Sequence, residues 1–282
     1  MKSLILGSTI VLLTSLNIKA QDIFNPPNYN ITNPCGVYEK NIGERRPIAY
    51  TYLRESDVMW QKRIWRDIDL RERQNQALYY PIENLPCRSS LFQTISRQIL
   101  NGNIIAFKDE EFLEPYTISE FRDKIIKHDT TQQVIYSPTG EESYETVVLN
   151  DSTSIFERIL KFRLKEDWFF DRQKSSLDVR IVGLAAFEYN AQRDYYKEVF
   201  WVYFPSCRPF FAKNDVYNFK NDAERRSLDD IFWKRQFSST IVKESNVMDR
   251  EISQYQNGID ALVESEKIKH DVFTFEHDLW HY

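Results

Sequence analysis

Val179-Arg180-Ile181-Val182-Gly183-Leu184-Ala185-Ala186-Phe187-Glu188-Tyr189 is rich in branched and aromatic residues, and so is Tyr195-Tyr196-Lys197-Glu198-Val199-Phe200-Trp201-Val202-Tyr203-Phe204-Pro205. Five polar or small residues, Asn190 to Asp194, separate the two runs. Two such runs joined by a short loop predict an antiparallel β-hairpin. Around Val199 to Phe204 apolar side chains stand on both strand faces, which predicts a strand covered on both sides. Pairing Tyr189 with Tyr195 sets Gly183 opposite Trp201, where the missing side chain makes room for the indole.

Helical patterns surround the hairpin. Ser154-x-x-Glu157 opens a helix expected to run to about Lys165, and Ser227-Leu228-Asp229-Asp230 carries a helix-start signal. Asn246 is expected to cap a final helix whose Met248, Ile252, Tyr255, Ile259 and Leu262 form a heptad-like seam. Upstream, Ser89 or Ser90 caps a helix bearing Leu91, Phe92, Ile95 and Ile99, and Asn101-Gly102 ends it. Ile104 to Phe107 reads as a short strand, and Thr117-Ile118-Ser119-Glu120 as a capping box ahead of Phe121 and Ile125. Residues 127–154 read as a polar connection with one short strand near Val134 to Tyr136.

From Ser56 to Arg73, Trp60, Ile64 and Ile68 recur at four-residue spacing, which predicts a helix. Eight of the twelve residues from Lys62 to Arg73 are charged, and Arg63/Asp67 and Asp69/Arg73 are opposite pairs at helical spacing. Two readings stand: a salt-bridged, half-exposed helix, or a partner-binding helix using Trp60, Arg63, Trp65, Arg66 and Arg71.

Together these elements predict an α+β protein of mixed helices and short antiparallel sheet. The expected domain spans residues 51–270, with lobes over 51–130 and 154–270. An extended arm over 21–50, broken by Pro26-Pro27 and Pro34, precedes it, and a tail over 271–282 follows. Residues 1–20 read as a secretory signal peptide: Lys2, an uncharged run from Leu4 to Leu16, and a small residue at Ala20 ahead of Gln21. Cleavage is expected between Ala20 and Gln21, which predicts a protein soluble outside the cytoplasm.

Charge and motifs exclude several functions. The 37 Lys and Arg against 42 Asp and Glu become 35 against 42 once Lys2 and Lys19 leave with the leader. An acidic chain lacks the basic excess of a nucleic-acid binder. The 7 glycines, never closer than seven positions apart, supply no phosphate-cradling loop. Cys35, Cys87 and Cys207 have no zinc-type spacing. Cys87 and Cys207, each shortly after a proline, are either bridged or free thiols. His277 and His281 have the spacing of two metal ligands on a helix, but Asp278 stands where a hydrolase places glutamate, and the segment ends the chain. His128 and His270 read as polar surface. Adjacent carboxylates such as Glu110-Glu111 point apart and make no catalytic dyad. The residues thus predict no catalytic, cofactor-binding or metal-binding group.

Four stretches together carry a resemblance: Asp57-Val-Met-Trp-Gln-Lys-Arg-Ile-Trp-Arg-Asp-Ile-Asp-Leu-Arg-Glu, Lys165-Glu-Asp-Trp-Phe-Phe-Asp, Phe200-Trp-Val-Tyr-Phe-Pro, and Asp229-Asp-Ile-Phe through Arg235-Gln-Phe-Ser-Ser to Lys243-Glu-Ser-Asn-Val. The chain resembles the GldN family of gliding motility proteins of the Bacteroidetes, also called PorN, over nearly all of residues 45–268. The resemblance implies a non-enzymatic periplasmic component of the type IX protein secretion system, self-associated in a ring complex with the lipoprotein GldK (PorK) at the inner face of the outer membrane. It also implies contact with the periplasmic domain of GldM (PorM). The alternative is an exported metal-dependent hydrolase or carbohydrate-binding protein, built on the terminal histidines or the aromatic residues.

Overall fold

The computed structural model describes residues 45–278 apart from 84, 86, 87, 126, 137–141, 152, 191, 192, 219, 220, 222 and 223. In chain order the elements are β1 (Val58–Asp69), α1 (Gln76–Tyr79), α2 (Leu91–Leu100), β2 (Ala106–Phe107), α3 (Ile118–Ile125), β3 (Lys127–Tyr136), β4 (Glu142–Asp151), α4 (Thr153–Arg158), β5 (Ile159–Asp171) and β6 (Ser176–Asn190). They continue with β7 (Tyr195–Tyr203), α5 (Phe204–Phe211), β8 (Asp215–Val216), β9 (Arg226–Ser227), α6 (Leu228–Trp233), β10 (Thr240–Glu244) and α7 (Ile259–Asp278).

The expected α+β class is observed. Its centre is a six-stranded antiparallel sheet in the order β10-β1-β5-β6-β7-β2. The stretches expected as lobes, 51–130 and 154–270, share this one sheet, and the described residues cluster as one unit. Residues 271–278, expected as tail, continue α7. The polar connection is a β3–β4 hairpin. The arm up to residue 44 lies outside the described residues.

The β6–β7 hairpin forms as expected, but in another register. Tyr189 pairs with Tyr196, and a bulge between Ala186 and Phe187 then brings Ala185 opposite Trp201 and Gly183 opposite Tyr203. Gly183 still serves the indole diagonally: a Cβ there would lie 3.3 Å from Trp201 Cε3 and 2.8 Å from Phe112 Cζ.

One sheet face carries Phe162, Leu164, Leu184, Ala186, Phe200 and Val202, packed beneath Phe92 and Ile95 of α2, Phe121 of α3, Phe211 of α5 and Phe232 of α6. Farther along, Ile64 and Ile241 meet Ile268 and Val272 of α7. Trp65, Ala185, Phe187 and Trp201 make a separate cluster with Phe112. Three of the capping signals act as read. Ser90 and Gln93 close a capping box on α2, Thr117 and Glu120 on α3, and Ser227 and Asp230 on α6. Gly102, at φ 75°, takes the left-handed turn that ends α2.

Three helix expectations are corrected. Residues 58–69 are a strand: a spacing of four puts Trp60, Ile64 and Ile68 on one face of a strand as readily as of a helix, and β5 offers a partner. The helix from Ser154 stops at Arg158, where β5 begins. The last helix starts at Ile259 rather than Asn246. Asn246 Oδ1 instead accepts from the backbone of Met248 and Arg250 and folds a turn, and Gly258 at φ 59° resets the chain direction before α7. The heptad seam is therefore not one helix face.

Candidate functional site

The residues expected on a partner-binding helix lie instead on central strand β1. Between Trp60 and Asp69 the register with β5 is unbroken, so even residues face one side of the sheet and odd residues the other. Trp60 stacks on Phe275 of α7 at 4.6 Å between ring centres. Trp65 and Arg66 are interior, at 4% and 8% exposure. Arg71, just past the strand, is the exposed one, with 60% of its side chain in solvent and a 2.6 Å ion pair to Asp69.

On the odd face the charges of β1 are answered across the ladder. Arg63 forks onto its direct neighbour Asp167 at 2.6 and 2.9 Å. Asp67 receives Arg163 at 2.7 Å and Lys161 at 3.2 Å, and Arg163 also bonds Glu251. Burial alone would lower the pKa of Arg163, but Asp67 and Glu251 more than offset that and hold it above the ordinary arginine value. The loop between β2 and α3 lies over this face. Glu110 accepts Trp65 Nε1 at 2.9 Å, while Lys165, with 2% of its side chain exposed, donates to Glu111 at 2.6 Å and to the Glu110 carbonyl at 2.9 Å. Lys243 pairs with Asp249 at 2.7 Å and stands 4.4 Å from the Trp65 ring centre.

On the even face a second cluster centres on Glu166, which is fully buried. Arg235 Nη1 and Nη2 donate to its two oxygens at 2.9 and 3.0 Å, and Trp168 Nε1 donates at 3.0 Å. Arg66 Nε stands 3.2 Å from Glu166 Oε2. Both guanidiniums lie over the Trp168 ring, at 5.3 Å for Arg66 and 5.2 Å for Arg235. Arg235 sits at φ 50°, just beyond Lys234, which caps the C-terminus of α6; this position ordinarily takes glycine and costs an arginine about 1–2 kcal/mol. The fold carries that cost at the one place from which this side chain clamps Glu166.

Sequence reasoning missed both clusters, since a run of charges reads as a wet surface when its partner strand is unknown. The usable signal was the opposing run Lys161-Phe-Arg-Leu-Lys-Glu-Asp-Trp, whose alternation answers that of Lys62 to Asp69.

Two surface features remain. Arg73, Arg88 and Arg226 line a cleft of about 890 Å³ with Tyr80 and Tyr217, and the Arg88 guanidinium stands 5.3 Å from the Tyr217 ring centre. The first turns of α7 expose Ile259, Leu262 and Val263. Cys207 is a buried free thiol whose pKa burial pushes up, and Cys35 and Cys87 lie outside the described residues. His277 is exposed on the last turn of α7, and His281 lies outside the described residues. Among the described residues no group of three His, Cys, Asp or Glu stands close enough to hold a metal ion, and no helix is long and apolar enough to cross a membrane.

Comparison with known proteins adds one finding. The family model described as "Gliding motility associated protein GldN" matches residues 53–281, which takes in β1, the hairpin and both charge clusters. No curated protein matches the chain.

Proposed function

Because the chain belongs to the GldN family of gliding motility associated proteins, we propose that it is a non-catalytic structural component of the type IX protein secretion and gliding machinery. In this reading the leader is removed between Ala20 and Gln21, and the mature protein works in the periplasm at the inner face of the outer membrane. It builds a ring there with the lipoprotein GldK/PorK and meets the periplasmic domain of GldM/PorM. The family match over residues 53–281 carries the reading.

The physical arrangement supports it. The ionic groups of β1 and β5 bind one another across the ladder, which stiffens the sheet. The contacts of an assembly then fall to outward groups: Arg71, and Ile259, Leu262 and Val263 on α7. Arg66 lies beneath α7, whereas Trp65 is packed on the opposite face of the sheet.

The test is affinity purification of the tagged protein from native outer membranes. Recovery in large particles with GldK/PorK and GldM/PorM is the expected outcome, and Leu262→Asp should reduce it while leaving circular dichroism unchanged. Recovery of a monomer with neither partner would overturn the reading. Mass spectrometry of the mature chain should begin at Gln21.

A further inference from the structure

The cavity between the C-terminal half of α7 and strands β1 and β5 contains a cation that the fold does not use up. We propose that this cavity is a binding site for a carboxylate carried on a short apolar body, with Arg66 as its anchor. The site stands independently of the assembly reading.

The balance of donors and acceptors leads there. Glu166 gives both oxygens to Arg235 and one of them also to Trp168. Arg66 Nε stands 3.2 Å from Oε2 but makes no well-directed hydrogen bond among the described residues. Nε is sealed from solvent, so a ligand in the cavity that Arg66 lines meets other atoms of its guanidinium. Two guanidiniums thus share one buried carboxylate, which leaves one positive charge in excess at the cavity floor. At the rim Glu266 pairs with Lys269 at 3.2 Å and also attracts Arg66, so the two rim charges add no net charge to the floor. Arg66 is more than nine-tenths buried, and a buried cation that shares its close carboxylate with a second guanidinium is costly. Its pKa is lowered, first by burial, with Arg235 adding repulsion against the pull of Glu166 and Glu266. A bound anion relieves both effects.

Shape selects the rest of the ligand. The cavity is about 460 Å³, and Trp168, Leu177, Val272 and Phe273 supply apolar wall. A site of that size with one cationic floor matches the common pattern of apolar pockets with few polar anchors. An inorganic anion would satisfy Arg66 and leave the walls wet, whereas a carboxylate with an aliphatic or aromatic body satisfies both. Such a group comes either from a free organic acid or from an acidic side chain flanked by apolar residues on another protein.

Titration calorimetry on the full mature protein tests this with hexanoate, its two halves acetate and 1-hexanol, and a capped Leu-Glu-Phe peptide. Hexanoate should bind at least about tenfold more tightly than either half, since the charged contact and the apolar contact each add to affinity. Arg66→Gln removes the excess cation but keeps the Arg235–Glu166 fork, and should weaken hexanoate at least about tenfold. Phe273→Asp, on an exposed position, brings a carboxylate to the rim and should do the same even if the first variant fails to fold. Competition of hexanoate by the peptide assigns the site to a protein side chain, and binding of hexanoate alone assigns it to a free acid. The proposal is overturned if hexanoate binds no better than its halves, or if Phe273→Asp leaves binding unchanged.

Discussion

Replacing Glu166 by glutamine tests whether the interior charges hold the fold together. The two side chains have nearly the same volume, so no cavity forms and the effect is electrostatic. Glu166 is fully buried and receives both arms of Arg235 and the Trp168 indole, with Arg66 3.2 Å away. Glutamine keeps one acceptor and turns an amide donor toward a guanidinium. Removing one partner of a buried ion pair costs about 3–5 kcal/mol. At roughly 2–4 °C per kcal/mol for a chain of this size, the melting temperature should fall by about 10 °C. Thermal unfolding followed by circular dichroism measures it, with Asp69→Asn as control. The Asp69 partner, Arg71, is mostly in solvent, so that variant should lose less than about 1 kcal/mol. Adding Arg66→Gln to Glu166→Gln removes the orphaned cation and should restore part of the loss. If Glu166→Gln melts no lower than Asp69→Asn, the cluster contributes nothing beyond a surface pair and the reasoning fails.

Trp201→Ala empties a site that is 1% exposed and should cost about 3–5 kcal/mol in urea denaturation; an unchanged midpoint would mean the indole is not packed there. Gly183→Ala places a Cβ 2.8 Å from Phe112 Cζ and 3.3 Å from the Trp201 ring, and should cost about 1–3 kcal/mol, less if Phe112 on its loop yields; a gain in stability would show free space. The Arg71 side chain, hydrogen-bonded to Asp69, holds the Asp69 pKa below the ordinary range; at Asp230 burial pushes the pKa up, but the Ser227 amide and hydroxyl more than offset it. Both carboxyls therefore take up protons less readily folded than unfolded, so their stabilisation is present above about pH 4 and lost as pH falls through their folded values. The melting temperature should drop there, and drop less in the Asp69→Asn/Asp230→Asn double variant; an equal acid loss in both proteins would assign it to other groups.

Elements whose information is local were legible in the sequence. The capping residues Ser90, Thr117 and Ser227 act within one turn, and the β6–β7 runs are joined by a loop too short to allow other pairing. The hairpin register was not legible, because the turn already sets Tyr189 against Tyr196, the bulge at Ala186 and Phe187 shifts the pairing once more, and no residue pattern marks either. The seam from Met248 to Leu262 failed for the opposite reason: the spacing was regular, but the Asn246 turn and Gly258 divide it.

Strand β1 was misread because its charges are non-local in their satisfaction. Lys62 to Arg73 carries charge at eight of twelve positions, and on a lone segment that density argues for water on every side. The inference reverses once β5 lies alongside, because Arg63 meets Asp167 and Asp67 meets Arg163 as direct ladder neighbours about a hundred positions apart. Burying such pairs gains little net stability over apolar packing, so the pattern is poorly explained as a device for stability alone. What it does enforce is register. A slip of β1 by one residue against β5, in either direction, would leave Asp67 opposite Phe162 or Leu164 and so without a cation directly across the ladder. Charge alternation thus fixes the central strand pair, and that pair positions both the Trp65 face beneath the Glu110–Glu111 loop and the Arg66 floor of the α7 cavity.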